Sequence, residues 1–144
     1  MRILIDADAC PSINLIIEIA NKYKIKTLLF HDNTHNLEKH NVETIICDKG
    51  YQSVDMILMN EMKENDIIIT QDFGVATIAI SKKAYSIHPK GMIYDDENID
   101  KILFERHINT KQRDKRKLKG PKKRTNEDDE KLIYSLKTII EKNS

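Results

Sequence analysis

Three consecutive bulky apolar residues, Ile3-Leu4-Ile5, run straight into Asp6-Ala7-Asp8-Ala9-Cys10-Pro11. A run that is apolar at every position suits a strand covered on both faces, as in a parallel sheet between two helical layers. The proline that follows can open the first turn of a helix. In open α/β sheets ligands gather at the carboxyl ends of the strands, which is where this layout puts Asp6 and Asp8. Two residues apart, their side chains need not converge if the strand continues to Asp8; if the chain turns at Ala7, they can.

The same strand-then-helix order recurs downstream. Ile13, Ile16, Ile17 and Ala20 fall at helical spacing and predict an amphipathic helix over residues 11–22. Residues 26–30 (KTLLF) read as a second buried strand, followed by a polar loop over 31–40 that holds His31, His35 and His40. Residues 42–47 (VETIIC) make a third strand. Ser53 is a suitable cap for a helix whose inner face is Val54, Ile57, Leu58 and Met62. Residues 66–70 (DIIIT) form the most β-branched strand, leading through Gln71 and Asp72 into a helix over 73–82 with Val75, Ile78 and Ala79 inward. Residues 84–87 predict a fifth short strand, 88–91 a turn and 92–94 an edge strand. Asp95 or Asp96 can cap a helix to Arg106 or beyond, with Ile99, Ile102 and Leu103 apolar. This alternation predicts a three-layer α/β/α sandwich with a mostly parallel central sheet.

At 144 residues the chain suits one domain large enough to bury a core. The expected organisation is an α/β domain over 1–110, a basic arm or linker over 111–126, and a C-terminal helix over 127–144 packed on the same domain. The arm contains Gly120-Pro121, which no helix interior tolerates well. The last helix follows from the spacing of Leu132, Ile133, Leu136, Ile139 and Ile140. No apolar run approaches a membrane span, and no basic segment leads into an apolar one at the start, so a cytoplasmic protein is expected, with no membrane partner. Two cysteines, Cys10 and Cys47, fit a reducing compartment and are too few for a zinc site.

The net charge of +1 hides an asymmetry. Residues 111–124 carry nine Lys or Arg against one acid, a local excess of eight positive charges, so the rest of the chain is acidic by seven. An acidic body with a basic arm suits a polyanion partner, and equally a solvated tail. No aromatic residue interleaves the arm, so base stacking is not implied.

In a parallel sheet the ends of the first and fourth strands share one edge with the start of the helix after the third. That edge would collect Asp6, Asp8, Asp55 and Asp72 from three distant stretches. Carboxylates that converge repel, and need either a shared proton or a cation; oxygen-only ligands select Mg²⁺ or Mn²⁺. Such an ion can activate water and stabilise charge on a phosphodiester. Each acid also has an ordinary use: Asp8 and Asp72 as helix caps, Asp55 as a partner of a helix dipole. Asp66 starts its strand at the opposite edge and reads as structural. Cys10, beside a helix start, is either a thiol of lowered pKa or a small buried hydrophobe. The three histidines read as a solvated loop before a transition-metal site. Thr70 can donate into the site or simply finish its strand; Gly50 and Gly91 serve turns.

These residues also carry a family resemblance. Asp6-Ala-Asp-Ala-Cys-Pro11, Gly50 with Asp55, Ile69-Thr-Gln-Asp72 with Val75-Ala76, Pro89-Lys-Gly91, Asn98-Ile99, Arg106, Arg113, Gly120-Pro121 and Asp128 together resemble the YaiI/YqxD family of uncharacterised bacterial proteins, nearly end to end. That family is grouped with PIN-like domains, many of them metal-dependent nucleases acting on RNA. The resemblance implies a PIN-like fold with a C-terminal helical, basic extension. It matches Asp6 to the first strand-end aspartate, Asp8 to the polar position after it, Asp55 to the acid of the middle helix, and Thr70-Gln71-Asp72 to the Thr-x-Asp signature. The chain departs from the pattern at Phe73-Gly74-Val75, where PIN nucleases often place another acid. It departs again at Gln52, an acid in the closer family, and at Arg124, an aromatic there.

The expected function is a Mg²⁺- or Mn²⁺-dependent ribonuclease or related phosphodiesterase, with Asp6, Asp8, Asp55 and Asp72 on the metal. Thr70, Lys90, Arg106, Arg113, Lys115, Arg116, Lys122, Lys123 and Arg124 would meet the phosphates of RNA or another polyanion. One rival is a non-catalytic RNA-binding or ribosome-associated module using the basic arm. The other is an interaction protein whose arm contacts an acidic partner.

Overall fold

β1 (Arg2–Asp6) lies at the middle of the sheet because its residues have nowhere else to go: Ile3, Leu4 and Ile5 are all fully buried. Burying each such side chain stabilises the fold by about 1.5–3 kcal/mol, so a strand apolar at every position is driven to the centre. The computed structural model describes residues 1–32, 43–47, 53–112 and 123–143. After β1 come a single 3-10 turn (Ala7–Ala9), α1 (Ile13–Lys22), β2 (Lys26–Asp32) and β3 (Glu43–Cys47). Then follow α2 (Val54–Glu61), β4 (Ile67–Ile69), α3 (Phe73–Ser81), β5 (Tyr85–Ile87), β6 (Ile93–Tyr94), α4 (Asp96–Gln112) and α5 (Asn126–Lys142).

The strands are ordered β3-β2-β1-β4-β5-β6, parallel except for the antiparallel edge strand β6. One face carries Ile3, Ile5, Leu29, Ile67, Ile69 and Ile87 against Ile16, Ile19 and Ala20 of α1 and Leu132, Leu136, Ile139 and Ile140 of α5. The other carries Leu4, Leu28, Phe30 and Ile68 against Leu58 of α2 and Val75 and Ala79 of α3. α4 packs outside α3 through Ile99, with Tyr94 and Ala76 between them. The chain is thus a three-layer α/β/α sandwich with a mostly parallel sheet.

The strand order places a switch point between β1 and β4, since from β1 the chain runs to β2 on one side and later to β4 on the other. Ligand crevices of open α/β sheets lie at the carboxyl end of such a point. Here that end is Asp6 and Thr70. The opposite end is closed by Arg2, which donates to both Asp66 oxygens (2.6 and 3.2 Å) and to Glu61 (2.8 Å). Asp66 is structural, as its position in the sequence implies.

α5 starts at a full capping box, in which the Thr125 hydroxyl accepts from Asp128 N–H and the Asp128 carboxylate accepts from Thr125 N–H. It is set against the 88–91 turn by Gly91, whose φ of +100° and closeness to α5 leave no room for a side chain: a Cβ there would meet Lys131 Cβ at 2.5 Å.

Three details differ from the sequence reading. β2 does not end at Phe30 but continues through His31 and Asp32, because β3 pairs with both (His31 with Ile46, Asp32 with Cys47). His31 is therefore buried in a strand, not solvated in a loop. Ile78, expected inward on α3, is 37% exposed; the buried stripe runs through Val75, Ala76 and Ala79 and leaves Ile78 on the flank. Leu103 on α4 is exposed as well. His35, His40, Gly50 and Gln52 lie outside the described residues.

Candidate active site

The alternation of β1 and β4 aims the site. Leu4 and Ile68 face the α2/α3 layer. Two residues on from each, Asp6 and Thr70 point the same way at the carboxyl edge. Thr70 is fully buried, and its hydroxyl donates to Asp6 Oδ2 (3.4 Å) while accepting the N–H of Asp72 (3.0 Å). That pair of bonds fixes the Thr-Gln-Asp turn against β1. Tyr94 supports the turn from the other side, its hydroxyl donating to the Thr70 carbonyl at 3.3 Å and the Gln71 carbonyl at 3.5 Å.

Asp72 is the N-cap of α3: Oδ1 accepts from Gly74 N–H (2.8 Å) and Val75 N–H (3.2 Å). Its capping role and its place at the site coexist, because capping uses one oxygen. Asp55 enters from the first turn of α2, whose N-cap Ser53 accepts from Met56 N–H. Burial, the charge of Asp72 and a hydrogen bond between the two carboxyls all raise the pKa of Asp55. Asp6 is pushed up to about 6, first by burial, then by the charges of Asp55 and Asp8, with Asp72 adding and the Thr70 hydroxyl opposing. Acids from β1, the 3-10 turn, α2 and the α3 cap therefore lie within each other's field.

Asp8 adds its charge to that field while its oxygens reach toward β2. The chain does turn at Ala7, and Asp8 Oδ2 accepts the N–H of Asp32 (2.9 Å) while Oδ1 lies 3.5 Å from His31 Nδ1. The sequence pattern puts His31 and Asp32 in a solvated loop and gives Asp32 no role, because polar residues follow Phe30. Their position at a strand end next to β1 was the signal available.

The candidate phosphate contacts divide. Arg106 of α4 stacks over Phe73, its guanidinium carbon 3.9 Å from the ring centroid, directly beside the Asp72 cap. The Arg106 and Asp72 charges both act on Tyr94, which burial pushes up to about 12 with Asp72 adding and Arg106 opposing. Lys90 and Arg124 gather elsewhere, around His88, where burial and then their two charges lower its pKa against the opposing pull of Asp128. Arg124 faces inward, donating to Asp129 (2.8 Å) and the Pro89 carbonyl (2.7 Å). Lys123 is exposed. Arg113, Lys115, Arg116 and Lys122 lie outside the described residues. Cys10 is buried, which pushes its thiol up to about 11 despite the Ser12 backbone bond and Arg124, so it is not an activated nucleophile.

Among the described residues, no three His, Cys, Asp or Glu side chains are drawn together tightly enough to hold a metal ion as they stand. The chemistry of the donors nonetheless fits a hard divalent cation: Asp6, Asp55 and Asp72 offer only oxygen, and their mutual repulsion is what such an ion would relieve.

Residues 4–142 match the sequence model of the family described as "Uncharacterized BCR, YaiI/YqxD family". The chain is 48% identical over 143 residues to a UPF0178 protein of Clostridium novyi, covering 99% of this chain and 96% of that one. It is 45% identical over 143 residues to a UPF0178 protein of Clostridium tetani (99% and 98% covered) and 40% over 142 residues to one of Natranaerobius thermophilus (97% and 96%). No solved structure matches. With a family model matched over nearly its whole length and relatives this similar end to end, the chain belongs to the YaiI/YqxD (UPF0178) family.

Proposed function

We propose that this protein is a PIN-like, Mg²⁺- or Mn²⁺-dependent ribonuclease or related phosphodiesterase. The observation that carries the reading is the mutual field of Asp6, Asp55 and Asp72, delivered from β1, α2 and the α3 cap to the β1/β4 switch point. These carboxylates would hold the cation. When bound, it would supply activation of the attacking water and stabilisation of charge on the phosphodiester.

The chain's own residues do the rest. Thr70 orients Asp6 and anchors the turn that carries Asp72. Asp6, pushed up to about 6 in the metal-free protein by burial and its acidic neighbours, would give up its proton to hold the cation. Arg106, its guanidinium carbon 3.9 Å from the Phe73 ring centroid, would turn its charge to a phosphate arriving at the edge. The basic residues 111–124 would add sequence-independent, salt-sensitive attraction.

The test is cleavage of a 5′-labelled single-stranded RNA with Mn²⁺ by the wild type and by Asp6→Asn. Cleavage that needs both Mn²⁺ and Asp6 supports the proposal. Salt-sensitive RNA binding without cleavage, equal in the two proteins, replaces it with a non-catalytic RNA-binding module. Neither cleavage nor binding overturns both.

A further inference from the structure

Asp8 stands apart from the other three acids in what its oxygens touch. The 3-10 turn at Ala7–Ala9 takes it off the strand alternation that aims Asp6 at the α2/α3 layer. Its carboxylate faces the end of β2 instead. Oδ2 accepts the N–H of Asp32, the last residue of β2, at 2.9 Å, and Oδ1 lies 3.5 Å from Nδ1 of His31. The His31 side chain is only 5% exposed, so this partner is fixed by packing and not by a flexible arm. β1 and β2 pair in register up to Asp6 and Phe30. The Asp8–Asp32 bond continues that pairing past the end of β1 and pins the turn that follows Asp6. By contrast, among the described residues Asp6 accepts a long bond from the Thr70 hydroxyl, and Asp72 commits Oδ1 to its helix.

We infer that Asp8 is a positioning residue, latched by the Asp32 amide to the end of β2 beside the His31 ring so that it fixes the turn carrying Asp6, and not a donor to the cation. The inference rests on the metal reading above for its affinity test. The latch itself is tested without metal.

His31 borders the device, its buried ring lying beside Oδ1. Oδ2 is committed to the Asp32 amide and Oδ1 lies toward the buried His31 ring, so both oxygens of Asp8 are turned to β2. Asp8 still contributes its charge to the field on Asp6, so its removal costs some attraction for a cation without removing a ligand. Supporting residues of this kind typically change metal affinity by roughly 10–100-fold when truncated.

The experiment compares the full chain with Asp8→Asn, Asp8→Ala and Asp6→Asn, by calorimetric titration with Mn²⁺ and by amide hydrogen exchange at Asp32, with Leu4 as reference for an intact sheet. Asparagine keeps an oxygen for the Asp32 N–H; alanine does not. The expected result is an Asp32 amide protected in the wild type and Asp8→Asn but exchanging at least about tenfold faster in Asp8→Ala, with Leu4 unchanged in all. Mn²⁺ affinity should stay within about threefold in Asp8→Asn, fall at least about tenfold in Asp8→Ala, and vanish in Asp6→Asn. Rescue of Asp8→Ala by the asparagine marks positioning. Asp8→Asn losing as much affinity as Asp6→Asn would make Asp8 a ligand and overturn the inference. Asp8→Ala binding like the wild type would overturn it too, because Asp8 would then position nothing. A wild type that binds no Mn²⁺ sinks the metal reading and the affinity half of the inference, while an unprotected Asp32 amide in the wild type sinks the latch alone.

Discussion

The hydroxyl of Thr70 donates to Asp6 Oδ2 across 3.4 Å, tying the end of β4 to the end of β1 at the switch point of the sheet. Both residues are buried, so the bond is made where water cannot substitute for it. Thr70→Val keeps the shape and removes the hydroxyl, leaving Asp6 without this donor and the Asp72 N–H without its acceptor. The variant should lose about 1–3 kcal/mol in denaturant unfolding. Since the hydroxyl holds the Asp6 pKa down, the Asp6 carboxyl should also titrate higher than in the wild type, as read by NMR.

Asp6 makes stability depend on pH in an unusual direction. With its pKa at about 6, the folded protein holds a proton on Asp6 that the unfolded chain has already released. Stability from this group is therefore full below about pH 4 and is lost as pH rises through about 6, by an amount of order 3 kcal/mol. Asp55, raised as well, acts in the same sense. Asp6→Asn should be more stable than the metal-free wild type at pH 7.5 and nearly equal to it at pH 3.5. Urea unfolding at the two pH values reads the difference, and an asparagine that destabilises at pH 7.5 would contradict the account.

Arg2 provides a control at the far edge. Its guanidinium bonds both oxygens of Asp66, whose side chain is 4% exposed, and Glu61 besides. Arg2→Met leaves that buried carboxylate without its charge partner and should cost about 3–5 kcal/mol. Mn²⁺ binding by the variant, measured at a temperature where it is folded, should not change.

Gly91→Ala should be damaging, because this turn glycine is buried against α5. The substitution combines a φ of +100° with a Cβ 2.5 Å from Lys131 Cβ, so either the turn or α5 must move. A loss of more than about 1 kcal/mol in thermal unfolding is expected. Thr125→Ala, which removes only one side of the α5 capping box, should cost about 1 kcal/mol.

How much of this the sequence carries depends on whether local or paired interactions decide a residue's place. Ile3-Leu4-Ile5 and Ile67-Ile68-Ile69 are apolar at every position, so their burial and their neighbouring places in the sheet follow from composition alone. Asp6, Asp8, Asp55 and Asp72 read as a group because strand ends and helix starts share an edge in any parallel sheet, and the charges of the other three all act on Asp6. His31 was not legible, because only pairing with β3 keeps the chain extended beyond Phe30. The convergence of Asp6 and Asp8 stayed open on sequence grounds and turned on the bend at Ala7, which then delivered Asp8 to β2. Arg124 carries the charge of a phosphate contact, but its guanidinium donates to nearby Asp129 and to the Pro89 carbonyl, a contact that only the packing of α5 against the 88–91 turn creates.

The most direct measurement is calorimetric titration of the metal-free protein with Mn²⁺ at pH 7.5, beside Asp6→Asn. The account predicts saturable binding by the wild type that the variant lacks. No binding up to millimolar Mn²⁺, or equal binding by the two proteins, would contradict it.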